Sequence, residues 1–288
     1  MEKQKFKQTE IGEIPEDWDT KSIEELSNTG GLIRGPFGGS LKKDCFVSAG
    51  YKVYEQRNAI YCDANIGRYY INDIKFLELK RFEVKENDLI ISCSGTIGKI
   101  FQIPKMHKKG IINQALLKIS INKSACLDKY FIHYFGWDDF QKKIIDSTQG
   151  GAMKNLIGMA EFKKTLIAIP SNLQEQTAIA TVLSDTDELI TSLDKLIAKK
   201  KAIKQGAMQE LLTGKKRLPG FEKQKGFKET ELGEIPEDWE VKEFGEVLKI
   251  KHGKSQNGVI QHNGDYPILA TGGEIGRTTH GSIINLLC

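Results

Sequence analysis

No run of about 18 consecutive apolar residues occurs in this sequence, so no membrane-spanning helix is expected. The opening residues, MEKQKFKQ, are charged, and the apolar core of a secretory leader is missing. Cysteine is sparse: Cys45, Cys62, Cys93, Cys126 and Cys288 lie far apart, without the short paired spacings of a zinc site or the density of a disulfide scaffold. These absences together predict a soluble protein of the reducing cytoplasm. The five histidines (His107, His133, His252, His262 and His280) form no i, i+4 pair and no acidic cluster, which withdraws support from a metal site or a serine-type triad.

Catalytic patterns are also lacking. Gly253-Lys254-Ser255 ends like a phosphate loop, but Leu248 stands where the loop needs glycine. Asp73 with Glu78-Leu79-Lys80 imitates the acids and lysine of a magnesium nuclease. On one continuous strand, five residues apart, those two acids fall on opposite faces. Cys93 in SCSGT is expected to be a buried cysteine at a strand end rather than a nucleophile. The glycines of GGLIRGPFGGS are followed by no helix whose N-terminus could hold phosphate. The expectation is a chain without a bond-breaking site. With 42 basic against 38 acidic residues, net charge +4 and pI near 8.6, a polyanionic partner is permitted but not demanded.

What the sequence does contain is a second beginning. TEIGEIPEDWDTKSIEEL starts at Thr9, and TELGEIPEDWEVKEFGEVL starts at Thr230. Such a spacing far exceeds the roughly 20 to 50 residues of solenoid repeats and marks a duplicated domain. Between the copies lie strand candidates bounded by turn residues: 51–54, 71–79, 89–93, 100–104 and 111–121. Residues 128–145 carry a helical stripe instead. After LIAIP the pattern changes. Ser171-Asn172-Leu173-Gln174 fits a capping box, and a proline-free segment runs on to Gly214, a natural helix end. Some 40 residues at about 1.5 Å each make a rod of about 60 Å.

Apolar residues along that rod recur in sevens. Leu183, Ile190, Leu193, Ile197 and Leu211 form the expected seam, which must be buried against a second long helix or, in the alternative, against the protein's own sheet. The resulting division is 1–170, a mixed α/β (α+β), strand-rich domain; 171–214, the long helix; 215–229, a charged linker; and 230–288, the start of a second domain cut short.

Two loops have the chemistry to meet a polyanion. RGPFGGSLKK offers Arg34, Lys42 and Lys43 beside small residues, and SGTIGK offers Ser94, Thr96 and Lys99 on a turn between strands. Hydroxyls, amides and cations grip phosphate, while Arg, Asn and Gln read base edges, which makes Arg57, Asn58, Asn113 and Gln114 base-reading candidates. Lys154 is a further candidate cation.

In order along nearly the whole chain, the motifs GEIPEDW, RGPFGGSLKKDCF, NDLIISCSGTIGKI, INQALLKI, GGAMKNL, EQTAIATVLSDTDELI, MQELLTGKKRLPGF and YPILATGGEIGRT resemble the specificity (S) subunit of Type I restriction-modification systems. The resemblance implies two α/β target-recognition domains separated by an antiparallel coiled coil of two long helices that spaces two DNA half-sites. It implies double-stranded DNA as ligand and no catalytic residues. Partner M subunits would use S-adenosylmethionine to methylate adenine, and R subunits would use ATP and magnesium to cut. This chain differs from the family in ending inside its second domain. The expectations are a homodimer or a pairing with a second S chain through the helix, or else a frameshifted, prematurely stopped or phase-variable remnant. A protein-interaction scaffold and a stand-alone nuclease are the readings from other classes.

Overall fold

A computed structural model of the chain describes residues 5–146, 155–156, 158–221, 226–249, 263–270 and 273–279. It divides into two compact units between residues 197 and 198.

The first unit opens on a hairpin of β1 (Phe6–Thr9) and β2 (Gly12–Pro15), turned by Gly12 at φ +115°. Next come β3 (Trp18–Ser22), β4 (Ser27–Arg34), β5 (Tyr51–Tyr54), α1 (Gln56–Ile60), β6 (Tyr70–Ile71) and α2 (Asp73–Glu78). The strands β7 (Leu89–Ser92), β8 (Ile100–Gln102), β9 (Gly110–Ile112) and β10 (Leu116–Ile121) come after them. Helices α3 (Asp128–Gly136) and α4 (Asp138–Ile144), strands β11 (Ile145–Asp146) and β12 (Asn155–Leu156), α5 (Met159–Lys164) and β13 (Leu166–Pro170) follow. Strand β13 pairs antiparallel with β3, Pro170 opposite Trp18, so the end of the domain is tied to its opening motif.

An antiparallel sheet of order β4-β10-β7-β8 forms the middle layer. Leu89, Ile91, Leu117 and Ile119 on one face pack with Phe131, Phe135, Phe140 and Phe162 from the helices. On the other face Ile90 and Leu116 meet Tyr54 and Ile112 of a smaller sheet, β6-β5-β9, whose β5 and β9 run parallel. Strand β7 is buried at all four positions, as expected of a strand covered on both sides.

Several expected elements form differently. Residues 71–79 are not one strand. Asn72 caps a helix by accepting the Lys75 N–H at 2.9 Å, and Phe76 and Leu79 turn inward while Ile74 and Leu77 stay exposed. Helical spacing, not strand alternation, therefore governs Asp73 and Glu78, and Glu78 is taken up by Lys75 at 2.9 Å. The run 111–121 breaks into two strands at Asn113, whose side chain accepts the Ala115 N–H at 3.0 Å. The stripe 128–145 breaks at Trp137, which adopts an extended backbone between α3 and α4.

Helix α6 (Leu173–Leu211) is capped by Asn172, whose Oδ1 accepts the Gln174 N–H at 2.8 Å. Ser171, the expected cap, instead donates to the Asp17 carbonyl and to Asp19. Gln176 and Ala180 are buried, but every residue from 185 to 206 is exposed, so the body of the helix does not lie across the domain's own sheet.

In the second unit, Gly214 at φ +71° ends the helical turn, its N–H donating to the Leu211 carbonyl. Strands β14 (Phe227–Thr230) and β15 (Gly233–Pro236) repeat the first hairpin's register, Phe227 opposite Pro236 as Phe6 is opposite Pro15. The glycine turns match, with Gly233 at φ +93° and the threonine hydroxyls of Thr9 and Thr230 donating to the turn carbonyls. The short helix α7 (Phe244–Val247) and the hairpin of β16 (Tyr266–Ala270) and β17 (Gly273–Thr278) complete the described part.

Candidate nucleic-acid interface

The motif loops, scattered over some 80 residues of sequence, meet at one edge of the first unit. Strand β4 ends at Arg34, and the next N–H, of Gly35, donates to the Leu116 carbonyl at 2.9 Å. A Cβ at Gly35 would collide with the Asn113 carbonyl, so only glycine admits this approach of RGPF to NQAL. Strand β7 joins the same edge through Cys93, whose N–H donates to the Ala115 carbonyl at 2.9 Å. Strand β5 joins through its last carbonyl, Tyr54, which accepts the Asn113 N–H at 2.9 Å. The first turn of α1 reaches SGTIGK there, with Gln56 Nε2 3.7 Å from the Cβ position of Gly95.

Arg34, Ser94, Thr96, Asn113 and Gln114 are thus carried on one convergence of loops, with Arg57 on the adjoining α1. Gln114, Thr96 and Arg57 are exposed, while Arg34, Ser94 and Asn113 are half-buried. Arg34 Nε and Gln56 Oε1 are buried without a hydrogen-bond partner among the described residues, leaving polar capacity in the loop cluster. Lys99 is exposed where SGTIGK returns to β8, its N–H donating to the Ser92 hydroxyl at 3.0 Å. Lys42 lies against Gly39 and Lys43 is exposed, both on the 3-10 turns that follow β4. Lys154 lies outside the described residues. Cys93 is fully buried, and burial pushes its thiol pKa up to about 11, which suits a core residue and not a nucleophile. Among the described residues no cluster of histidine, cysteine or carboxylate side chains could hold a metal ion.

Asn58 does not belong with the base-reading candidates. It is fully buried; its Oδ1 accepts the Glu55 N–H at 2.8 Å, and its Nδ2 donates to the carbonyls of Asp63 and Ile66 at 2.8 and 2.7 Å. The side chain closes a capping box and clamps the loop behind α1. Asn58→Ala should cost about 2–3 kcal/mol, because buried amide and carbonyl groups lose their partners. A urea midpoint that does not move would refute this role.

Residues 15–205 match the family model described as "Type I restriction modification DNA specificity domain". The chain belongs to this family. Two Methanocaldococcus jannaschii proteins are similar to it: a chain described as the putative MjaX type I restriction enzyme specificity subunit, 31% identical over 87% of this chain and 57% of its own length, and the MjaVIII specificity subunit, 30% identical over 86% and 53%. The chain therefore spans a little over half the length of these relatives. A chain from a solved type I R-M system structure superposes with TM-score 0.51 at 14% identity, covering 68% of this chain and 46% of that one, which is a likeness of fold.

In this specificity-domain chain the helix seam is bare. Leu183, Ile190, Leu193 and Ile197 are 43–53% exposed; Leu211 is half-buried at the helix end. No described helix is long and apolar enough to cross a membrane. Beside the small sheet lies a second cationic region, outside the two loops that the sequence singles out. Lys108 lies over the Tyr70 ring at 5.3 Å, and Lys109 over Tyr51 and Phe76 at 5.7 and 5.2 Å. Its signal in the sequence is PKMHKK, three lysines and no acid between two strands.

Proposed function

We propose that this chain reads a DNA sequence and directs partner subunits that methylate adenine and cut DNA, itself contributing no catalytic residue. The observation that carries this reading is the convergence of RGPF, SGTIGK and NQAL at one edge, inside the span that matches the specificity-domain family. Grouped amides, hydroxyls and an arginine are suited to gripping phosphate and reading base edges. S-adenosylmethionine, ATP and magnesium would be bound by the partner M and R subunits. Residues 1–170 would form one target-recognition domain, 171–214 its spacer helix, 215–229 a linker and 230–288 part of a second recognition domain.

For the bare seam we propose a second copy of this chain. The helix is acidic up to Asp194 (Glu175, Asp185, Asp187, Glu188 and Asp194) and basic beyond it (Lys195, Lys199, Lys200, Lys201 and Lys204), with Glu210 the one acid near its C-terminus. Antiparallel pairing sets lysines beside carboxylates, whereas parallel pairing sets like beside like. Such a dimer has two-fold symmetry and would present two identical readers.

Single-molecule sequencing of methylated adenines in cells expressing this chain with its M subunit tests both readings. The expected result is an interrupted palindromic motif. An asymmetric motif would mean a different S chain on the seam, and a methylome without any motif would overturn the DNA reading.

A further inference from the structure

The connection from β8 to β9, Ile103–Lys109, is a loop that none of the family motifs includes. Its apex is Met106, 92% exposed, the most exposed large apolar side chain among the described residues. Lys105 and Lys108 flank it, both exposed, and neither is paired with a carboxylate among the described residues. The loop carries no acid. A flexible tip would need no explanation, but this one is held at several points. The His107 ring meets the carbonyls of Pro104 at 2.9 Å and Val84 at 3.4 Å. The Lys108 carbonyl accepts the Tyr54 hydroxyl at 2.7 Å, and the Lys109 carbonyl accepts the Lys52 N–H at 2.9 Å. Lys109 is further tied to Glu83 at 3.7 Å.

Beside the loop lies a cleft of about 560 Å³ bounded by Gly50, Tyr51, Tyr70, Asp73, Lys108 and Lys109. Tyr51 stacks on Phe76 with ring centroids 3.8 Å apart, so its ring is fixed in place. Lys108 Nζ receives no carboxylate here; it rests on the Tyr70 ring and donates to the Tyr70 hydroxyl at 3.3 Å. Among the described residues, Asp73 is the one carboxylate on the cleft wall.

We propose that the Ile103–Lys109 loop is a second DNA-contacting element, with Met106 entering a groove of the duplex and Lys105 and Lys108 bound to phosphates on either side. Burying an exposed thioether against base edges or a base step recovers its apolar surface, and apolar wedges flanked by cations are a known way of gripping a groove. The charge balance also favours DNA: the loop has three lysines, and Glu83 neutralises one of them. A rigid loop loses little conformational entropy on binding. This inference rests on the DNA reading above and adds a surface to it.

Fluorescence anisotropy with a labelled random-sequence duplex, followed against salt, separates the two. The double variant Lys105→Ala/Lys108→Ala should bind more weakly and reduce the slope of log K against log salt by about 1.8, two phosphates at about 0.9 each. Lys129→Ala, an exposed cation of α3 on the opposite face of the central sheet, should leave the slope unchanged. A photo-crosslinking residue at position 106 should label the duplex, and one at position 129 should not. If wild type binds and the double variant keeps its slope and affinity, the loop assignment fails and the DNA reading stands. Loss of M-subunit binding with duplex binding intact would reassign the loop to a protein and overturn the inference. A wild-type chain that binds no duplex even at low salt overturns both.

Discussion

Lys118→Ala is expected to cost the first unit about 3–5 kcal/mol, the range for stripping one partner from a buried ion pair. Lys118 and Asp88 are 6% and 4% exposed and lie 3.4 Å apart. Lys118 Nζ also donates to the Glu83 carbonyl at 2.5 Å, and Asp88 accepts the Lys85 N–H at 2.8 Å and the Ser120 hydroxyl. Truncation leaves the carboxylate in place with its hydrogen bonds but without its counter-charge. At about 2–4 °C per kcal/mol, the melting temperature should fall by roughly 10 °C. Replacing both members by apolar residues, Lys118→Met with Asp88→Leu, should recover part of the loss, because no isolated charge remains buried, while the Glu83 carbonyl, the Lys85 N–H and the Ser120 hydroxyl each lose a partner. Breaking the exposed pair Lys142–Asp139, 2.7 Å apart, should by contrast leave the melting temperature nearly unchanged, because water screens both charges. A single Lys118 variant as stable as wild type would refute this account of the pair.

Ile190→Asp with Ile197→Asp is expected to abolish helix pairing while sparing the fold. Both side chains are about half exposed in the chain as described, at 53% and 51%, so the monomer loses little. In a paired helix each would be buried, and an apolar anchor replaced by a carboxylate there costs upwards of about 2 kcal/mol. Both copies carry both substitutions, so four such losses, about 8 kcal/mol together, raise the dissociation constant by more than about 100,000-fold. Sedimentation at micromolar concentration should show the wild type as a dimer and the variant as a monomer. Reversing Lys199, Lys200 and Lys201 to glutamate should also dissociate an antiparallel pair, since acidic halves then face acidic halves. A wild type that sediments as a monomer would refute self-pairing, and a triple variant that stays dimeric would refute the antiparallel arrangement.

Much of the architecture was legible in the residues. The heptad spacing and the lack of proline marked the long helix, because helical periodicity is local and needs no knowledge of the rest of the chain. The repeated GEIPEDW marked a beginning written twice, and the structure places a hairpin of the same register at both. Residues 71–79 were misleading for a physical reason: a short apolar run fits a strand or a buried helix face equally, and the Asn72 cap tips it to helix. Asn58 shows the corresponding limit for the site. An asparagine after an arginine looks like a base reader until burial assigns its amide to three backbone partners.

By itself, then, the sequence determined the order of parts: a strand-rich domain, a long helix with an apolar seam, and a second copy of the opening motif. Those features rest on local propensity, periodicity and repetition, which a linear chain displays. Only the tertiary structure decided which loops share an edge, since Arg34, Ser94 and Asn113 meet through backbone hydrogen bonds between strands far apart in sequence. It also decided that the PKMHKK loop is held firm and that the helix seam is bare. Rigidity and exposure belong to the packed molecule, because each depends on what the rest of the chain covers.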